Sequence, residues 1–139
     1  MSYFINGQFW QEDEVPQERA GKLVSVSRSI EAHFHGFIGK EKMEPVNDEG
    51  IDGYITDMFG QSSVTDFVLD ATTLTFTKKY THEGSAPVLY NLIRGVSNDI
   101  GNQFFVGAWG IGIADQIIAS GKARCVLTPI PEHFFTKPE

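Results

Sequence analysis

The stretch LTFTKKY, residues 74–80, alternates without a break: Leu74, Phe76, Lys78 and Tyr80 fall on one side, Thr75, Thr77 and Lys79 on the other. Thr73 and Thr81 extend the second row. A period of two is that of a β-strand, and threonine suits a pleated face in contact with water. The row led by Leu74 is then the buried one, and it contains a lysine. A lysine in an apolar row either lifts its ammonium to a rim or meets a partner inside, because a lone buried ammonium is costly.

Segments of the same kind recur on both sides of this one, rich in β-branched and aromatic residues and separated by Gly, Asn and Asp clusters. The expected strands are Leu23–Arg28, Ala32–Ile38, Ile51–Phe59, Ser63–Leu69, Thr73–Thr81, Pro87–Arg94, Gln103–Ile111 and Lys122–Thr128. FGQS at 59–62, DATT at 70–73, THEGSA at 81–86 and VSNDIGN at 96–102 have turn composition, so neighbours should pair as antiparallel hairpins. GKEKMEPVNDEG, residues 39–50, reads as the longest loop. Residues 14–22, with Pro16 at an N1-like position, and residues 113–121 are each expected to form a turn or two of helix. An all-β, single-domain chain over 1–139 follows. About eight sequential strands hide their edges best as a closed up-and-down, lipocalin-like antiparallel barrel with at most one or two short helices, a two-sheet sandwich being the other solution.

Composition narrows the function classes. A 41% apolar and 21% charged chain of 139 residues can bury a continuous core without staples. The formal charge of -7 disfavours nucleic acid and anionic membrane surfaces as partners. A single cysteine, Cys125, excludes an intramolecular disulfide, and neither a leader-like start nor a long apolar run is present. These features predict a soluble, cytoplasmic protein.

The order GYITDMFG (53–60), LTFTKKY (74–80), VLYNLI (88–93), FFVGAWG (104–110) and GKARCVL (121–127) resembles the calycin superfamily, which groups lipocalins, fatty-acid-binding proteins and avidins. The resemblance is one of pattern and spans roughly residues 32–128. Its Gly-x-Trp-like element, GAW at 107–109, comes late where lipocalins carry it on the first strand, and the early NGQFW at 6–10 has an extra residue. The resemblance implies a barrel that holds a small apolar molecule, with enzymes as a minority use.

The candidate site residues come from the faces. Phe76, Lys78 and Tyr80 share one row; Val88, Tyr90, Leu92 and Arg94 share another; Phe105, Trp109 and Ile111 share a third. In KARCVLT (122–128) Arg124 alternates with Cys125, so its direction depends on which face is inside. Lys78 and Arg124 are the candidate cations for an anionic head group, with Phe76, Tyr80, Tyr90, Arg94, Phe105 and Trp109 as the other ligand-binding candidates. Asp57, in the row of Ile51, Gly53, Ile55 and Phe59, is the candidate partner for Lys78 or Arg124, or a proton-transfer group if burial raises its pKa. His33 and His35 share a face but lack further ligands nearby, and with Phe34 and Ile38 turned to the core they would face water, so no metal and no cofactor is expected. Cys125 reads as a buried, inert thiol.

Three functions are compatible with these residues. The first is a binding barrel for a small, mostly apolar or amphipathic ligand, with or without an anionic group. The second is a calycin-type lyase, isomerase or cyclase, in which Asp57 or a histidine moves a proton while Arg124, Tyr80 or Lys78 stabilises negative charge. The third is a side-chain-filled barrel that acts through its oligomer surface. FFVGAWGIGI (104–113) is apolar on both faces, and VLYNLI repeats this more weakly, which predicts a homodimer through these strands. The aromatic ends, Tyr3–Trp10 and HFF at 133–135, are the alternative covers, as lids or plugs.

Overall fold

The computed structural model describes residues 2–39, 50–96, 101–113 and 116–131. Eight strands close into one antiparallel barrel in chain order, each paired with the next and the last with the first. They are β1 (Ser2–Arg19), β2 (Lys22–Gly39), β3 (Gly53–Asp57), β4 (Gly60–Leu69), β5 (Thr73–Tyr80), β6 (Val88–Arg94), β7 (Gln103–Ile113) and β8 (Gln116–Pro129). Closure leaves the shared ladder with no free edge.

The beginning of the chain differs from the reading of the sequence. Leu23–Arg28 and Ala32–Ile38 belong to a single 18-residue strand, β2. Its partner β1 runs through the segment expected to be a lid or plug and through most of residues 14–22, expected to be helical. The two strands pair from Ser2 with Gly39 to Arg19 with Lys22 and turn at Ala20 and Gly21, whose φ angles of 52° and 75° are those of a tight hairpin turn. β1 pairs with β8 only from Tyr3 to Trp10, so the remainder of the hairpin extends past the barrel wall as a two-stranded ribbon. Pro16 lies in that ribbon, where β1 has a single neighbour and a strand tolerates a missing N–H. Residues 113 and 116–121, also expected to be helical, are strand, closing the β7–β8 hairpin at Ile113 and Gln116. The expected loop is outside the described residues at 40–49, as are 97–100 of the VSNDIGN turn, 114–115, and HFF with His133.

One bulge sets the inside of β4. Thr65 pairs with Thr77 and Val68 with Thr75, so two residues of β4 oppose Phe76 alone. Asp66 takes a φ of 56° there, and the amide of Phe67 donates to the Asp52 carboxylate at 3.0 Å. Strict alternation from Val64 would have turned Asp66 inward; the bulge turns it out and buries Phe67.

The core is packed at one end. Ile5, Ile38, Ile55, Val64, Leu74, Leu92, Phe105 and Leu127 are all buried there. Arg94 covers this end, donating to the carbonyls of Asp70 and Ala71 and to the Gln103 side chain while its guanidinium lies 4.9 Å over the Phe105 ring. The Asp70 carboxylate, which accepts the amides of Thr72 and Thr73 in the same turn, has its pKa drawn down to about 2 by those bonds. The β1–β2, β3–β4, β5–β6 and β7–β8 turns lie at the opposite, hairpin end, and that end is not filled.

Candidate functional site

Lys78 is placed by the alternation that first singled it out. Its neighbours Leu74, Phe76 and Tyr80 point inward with it, and it is 1% exposed. Asp57 ends β3 on the inward row, with its side chain fully buried. The turn Asp57–Gly60 that follows has Gly60 at a φ of 126°, a conformation that suits glycine, and Asp57 Oδ1 accepts the Phe59 amide at 2.8 Å. Strand geometry and a tight turn therefore help to position the carboxylate independently of the ion pair.

Three polar groups close a ring. Lys78 Nζ donates to Asp57 Oδ2 at 2.9 Å and to the Tyr80 hydroxyl at 3.1 Å, and that hydroxyl donates to the same Oδ2 at 2.6 Å. Both Asp57 oxygens are thus engaged. Around the ammonium lie the rings of Phe9, Tyr80 and Tyr90, with centroids 4.6, 4.8 and 5.2 Å from Nζ, and that of Phe34 at 6.0 Å. Ring faces carry partial negative charge, so they assist the carboxylate in holding a cation that has lost its water. Burial nevertheless holds the Lys78 pKa below the ordinary lysine value, against the upward pull of the Asp57 hydrogen bond and charge. Burial first, and the Asp57 bond and charge second, push the Tyr80 phenol well above its ordinary value, so it stays protonated. Tyr90 is raised mainly by burial.

Above this ring is a cavity of about 230 Å³, lined by Phe9, Phe59, Lys78, Tyr80, Val88, Tyr90, Trp109 and Ile111. Phe34 packs behind it against Phe9 and Tyr90 at centroid distances of 6.2 and 6.0 Å. Phe76 stacks on Tyr90 at 4.6 Å and 10°. Trp109 is held by its Nε1–H, which donates to the Trp10 carbonyl at 3.2 Å, and by Gly121 opposite it in the ladder. A Cβ at Gly121 would lie 2.5 Å from Trp109 Nε1 and collide with the Trp10 carbonyl, so glycine makes room for the indole. Phe59, 55% exposed at the β3–β4 tip, contacts Phe9 and Tyr80 and forms part of the mouth.

Of the residues picked out from sequence, Lys78, Tyr80, Tyr90 and Trp109 line this cavity, with Asp57 hydrogen-bonded beneath them. Phe76 and Phe105 are inward but belong to the packed core, and Arg94 covers the far end. Arg124 lies outside. Ala123, Cys125 and Leu127 take the inner row of β8, which turns Arg124 to the surface beside Glu31 at 3.1 Å and Gln8 at 2.6 Å. It therefore does not share the interior site with Lys78. His33 and His35 are likewise outward, with Phe34 and Ile38 inward; His33 meets Gln8, and His82 stacks on Tyr80 at 5.4 Å. Cys125 is buried, and burial raises its thiol pKa to about 12.

Phe9, Phe59, Val88 and Ile111 line the cavity without having been picked out as site residues. The row Tyr3, Ile5, Gly7, Phe9 carried a strand signal, weakened by the glycine. Gly7 is needed because a Cβ there would collide with the Arg124 carbonyl and the Phe34 ring. Among the described residues no helix is long and apolar enough to cross a membrane. No protein-family model matches the chain, and neither a curated protein nor a solved structure matches it.

Proposed function

We infer that the barrel binds a small, mostly apolar and electrically neutral molecule in the cavity at its hairpin end. The observation that carries this reading is the combination of aromatic and aliphatic walls with one internally compensated ion pair beneath them. Apolar walls with few convergent polar groups are the usual makeup of a small-molecule pocket. Net charge decides against an anion. Lys78 is already balanced by Asp57, so a carboxylate entering the cavity would bring an uncompensated charge into a dry site or have to displace Asp57. A neutral ligand with one oxygen can instead share the Lys78 and Tyr80 protons. Use of the interior in this way is also what the calycin resemblance implies, and that resemblance stays part of the proposal.

The test is a titration with 2-naphthylmethanol, a neutral aromatic alcohol, followed by tryptophan emission, alongside native mass spectrometry of the freshly purified protein. Saturable binding is expected, and Ile111→Trp, which fills the mouth with an indole, should weaken it at least about tenfold, or about 1.4 kcal/mol. No saturable binding and no co-purified molecule would sink the reading and favour a barrel that works only through its surface.

A second reading concerns that surface and is compatible with the first. Leu89 and Ile93 on β6 and Val106 on the adjoining β7 face outward, 55%, 60% and 42% exposed, with Ile93 and Val106 paired across the ladder. A second copy of the chain meeting this row would bury it, so the protein is proposed to form a homodimer through β6 and β7. Sedimentation should give a dimer for the native chain and a monomer for Ile93→Lys, with alcohol binding kept. A native monomer at micromolar concentration, about 1 μM, would overturn the dimer.

A further inference from the structure

Binding a neutral molecule needs no lysine, since a tyrosine or serine would supply a hydrogen bond without burying a charge. Lys78 brings a primary amine to an apolar cavity, a carboxylate 2.9 Å from it and a phenol 3.1 Å from it. We propose that Lys78 is a covalent site for apolar aldehydes, which enter the cavity and condense with its amine to an iminium held against Asp57. This rests on the reading of the cavity as a site for neutral apolar ligands and names their reactive class.

The groups present balance the reaction. The Lys78 ammonium hands one proton to Asp57 Oδ2 along their hydrogen bond, leaving an amine and a carboxylic acid. The nitrogen lone pair attacks the aldehyde carbon; the C–N bond forms and the carbonyl π pair moves to oxygen. One N–H proton passes to that oxygen through the Tyr80 hydroxyl, which touches both Lys78 and Asp57 and can accept and donate in turn. The result is a neutral carbinolamine. Asp57 then returns its proton to the carbinolamine hydroxyl, which leaves as water while the nitrogen pair forms the C=N bond. The net change is an aldehyde plus a lysine ammonium giving an iminium plus water, with Asp57 again a carboxylate and now the counter-ion of the iminium. No oxidant, reductant or metal is required.

The surroundings favour each step. Desolvation by the same walls lowers the cost of the neutral amine, consistent with the depressed Lys78 pKa. The rings of Phe9, Tyr80 and Tyr90 that face the ammonium would face the iminium as well, which keeps a positive charge at the same nitrogen. Water leaving a mostly apolar cavity disfavours hydrolysis back to the aldehyde. Acids and esters are excluded by charge or by the lack of an iminium-forming carbonyl.

The neighbouring residue is the built-in control. Lys79 is on the same strand, has the same sequence neighbourhood and is exposed on the outer face. The experiment treats the native protein with 2-naphthaldehyde and sodium cyanoborohydride, which reduces an iminium to a stable amine, and locates the naphthylmethyl group by peptide mapping. The cavity holds the aldehyde beside the Lys78 amine and offers no such site to Lys79 on the outer face, so Lys78 should be labelled at least about tenfold faster than Lys79. The preference should vanish when the chain is labelled in urea. In parallel, 2-naphthylmethanol should compete with the aldehyde for Lys78 and leave Lys79 unaffected. Lys78 spared while the alcohol binds would overturn the covalent site and leave the binding cavity standing. Lys78 spared with no alcohol binding would overturn both.

Discussion

Asp57→Asn is expected to lower the unfolding free energy by about 3–5 kcal/mol at neutral pH, the range seen when one partner of a buried ion pair is removed. The asparagine keeps the shape, but its single oxygen can accept either from Lys78 and Tyr80 or from the Phe59 amide, so the loss combines the missing charge with one forfeited acceptor. It also has a ceiling. A buried lysine without its carboxylate can give up its proton, and doing so at pH 7 from the ordinary value of 10.5 costs about 5 kcal/mol. The pH dependence separates this from a packing defect. In the native chain burial already holds the Lys78 pKa below its unfolded value. Removing Asp57 takes away both influences that raise it, so the folded-state pKa falls further. Between the folded and unfolded values the unfolded chain binds more protons, hence stability rises with pH through that window and levels off above the ordinary lysine value. The deficit of Asp57→Asn relative to the native chain should therefore shrink when urea denaturation is moved from about pH 7 to about pH 9.5. The double variant Lys78→Met/Asp57→Asn should recover most of the loss at pH 7. A deficit independent of pH, and unrelieved by the second substitution, would mean that the pair carries no buried charge.

How far the chain could be read before folding depended on whether a residue's surroundings are local. From β5 to β7 the inner rows at Leu74, Phe76, Lys78 and Tyr80, at Val88, Tyr90 and Leu92, and at Phe105 and Trp109 follow the alternation. The pairing of Lys78 with Asp57 was half legible for the same reason, since each stood as a charge in an apolar row, but Arg124 stood as an equal candidate for the carboxylate. The first two strands were harder. Pro16 and a polar run gave residues 14–22 a helical appearance, and only pairing along the whole of β2 makes them strand. The bulge at Asp66 had no clear local marker either, and the Phe67 amide in it is taken by the carboxylate of Asp52, a residue distant in sequence. The direction of Arg124 is a similar case: its alternating neighbours are small or apolar on both sides, and only the register of β8 against β1 and β7 sends it outward. The cavity itself belongs to no strand. Its walls come from residues 9 to 111, and whether eight inner rows fill a barrel or leave room depends on volumes that meet only after closure.

Phe34→Ala is expected to cost about 3–5 kcal/mol, and to change what the cavity accepts as well. Phe34 is buried behind the cavity, where its ring contacts Phe9 and Tyr90 and lies across from Gly7, whose missing side chain makes the space it occupies. Truncation leaves a void that the surrounding strands cannot collapse into, because each is held by ladders on both sides at that level. The void adjoins the cavity, so part of the lost stability should return on adding an apolar ligand larger than naphthalene, which binds the folded chain alone. Phe59→Ala is the contrasting case. Its ring is half outside, at the tip of a tight turn, and its removal should cost no more than about 1 kcal/mol while shortening the residence time of a bound alcohol. The two phenylalanines touch the same partner, Phe9, one as wall and the other as door. Thermal unfolding with and without ligand, and stopped-flow dissociation, distinguish these roles. Equal stability losses in the two variants, or faster ligand release from Phe34→Ala than from Phe59→Ala, would place the entrance elsewhere than the β3–β4 tip.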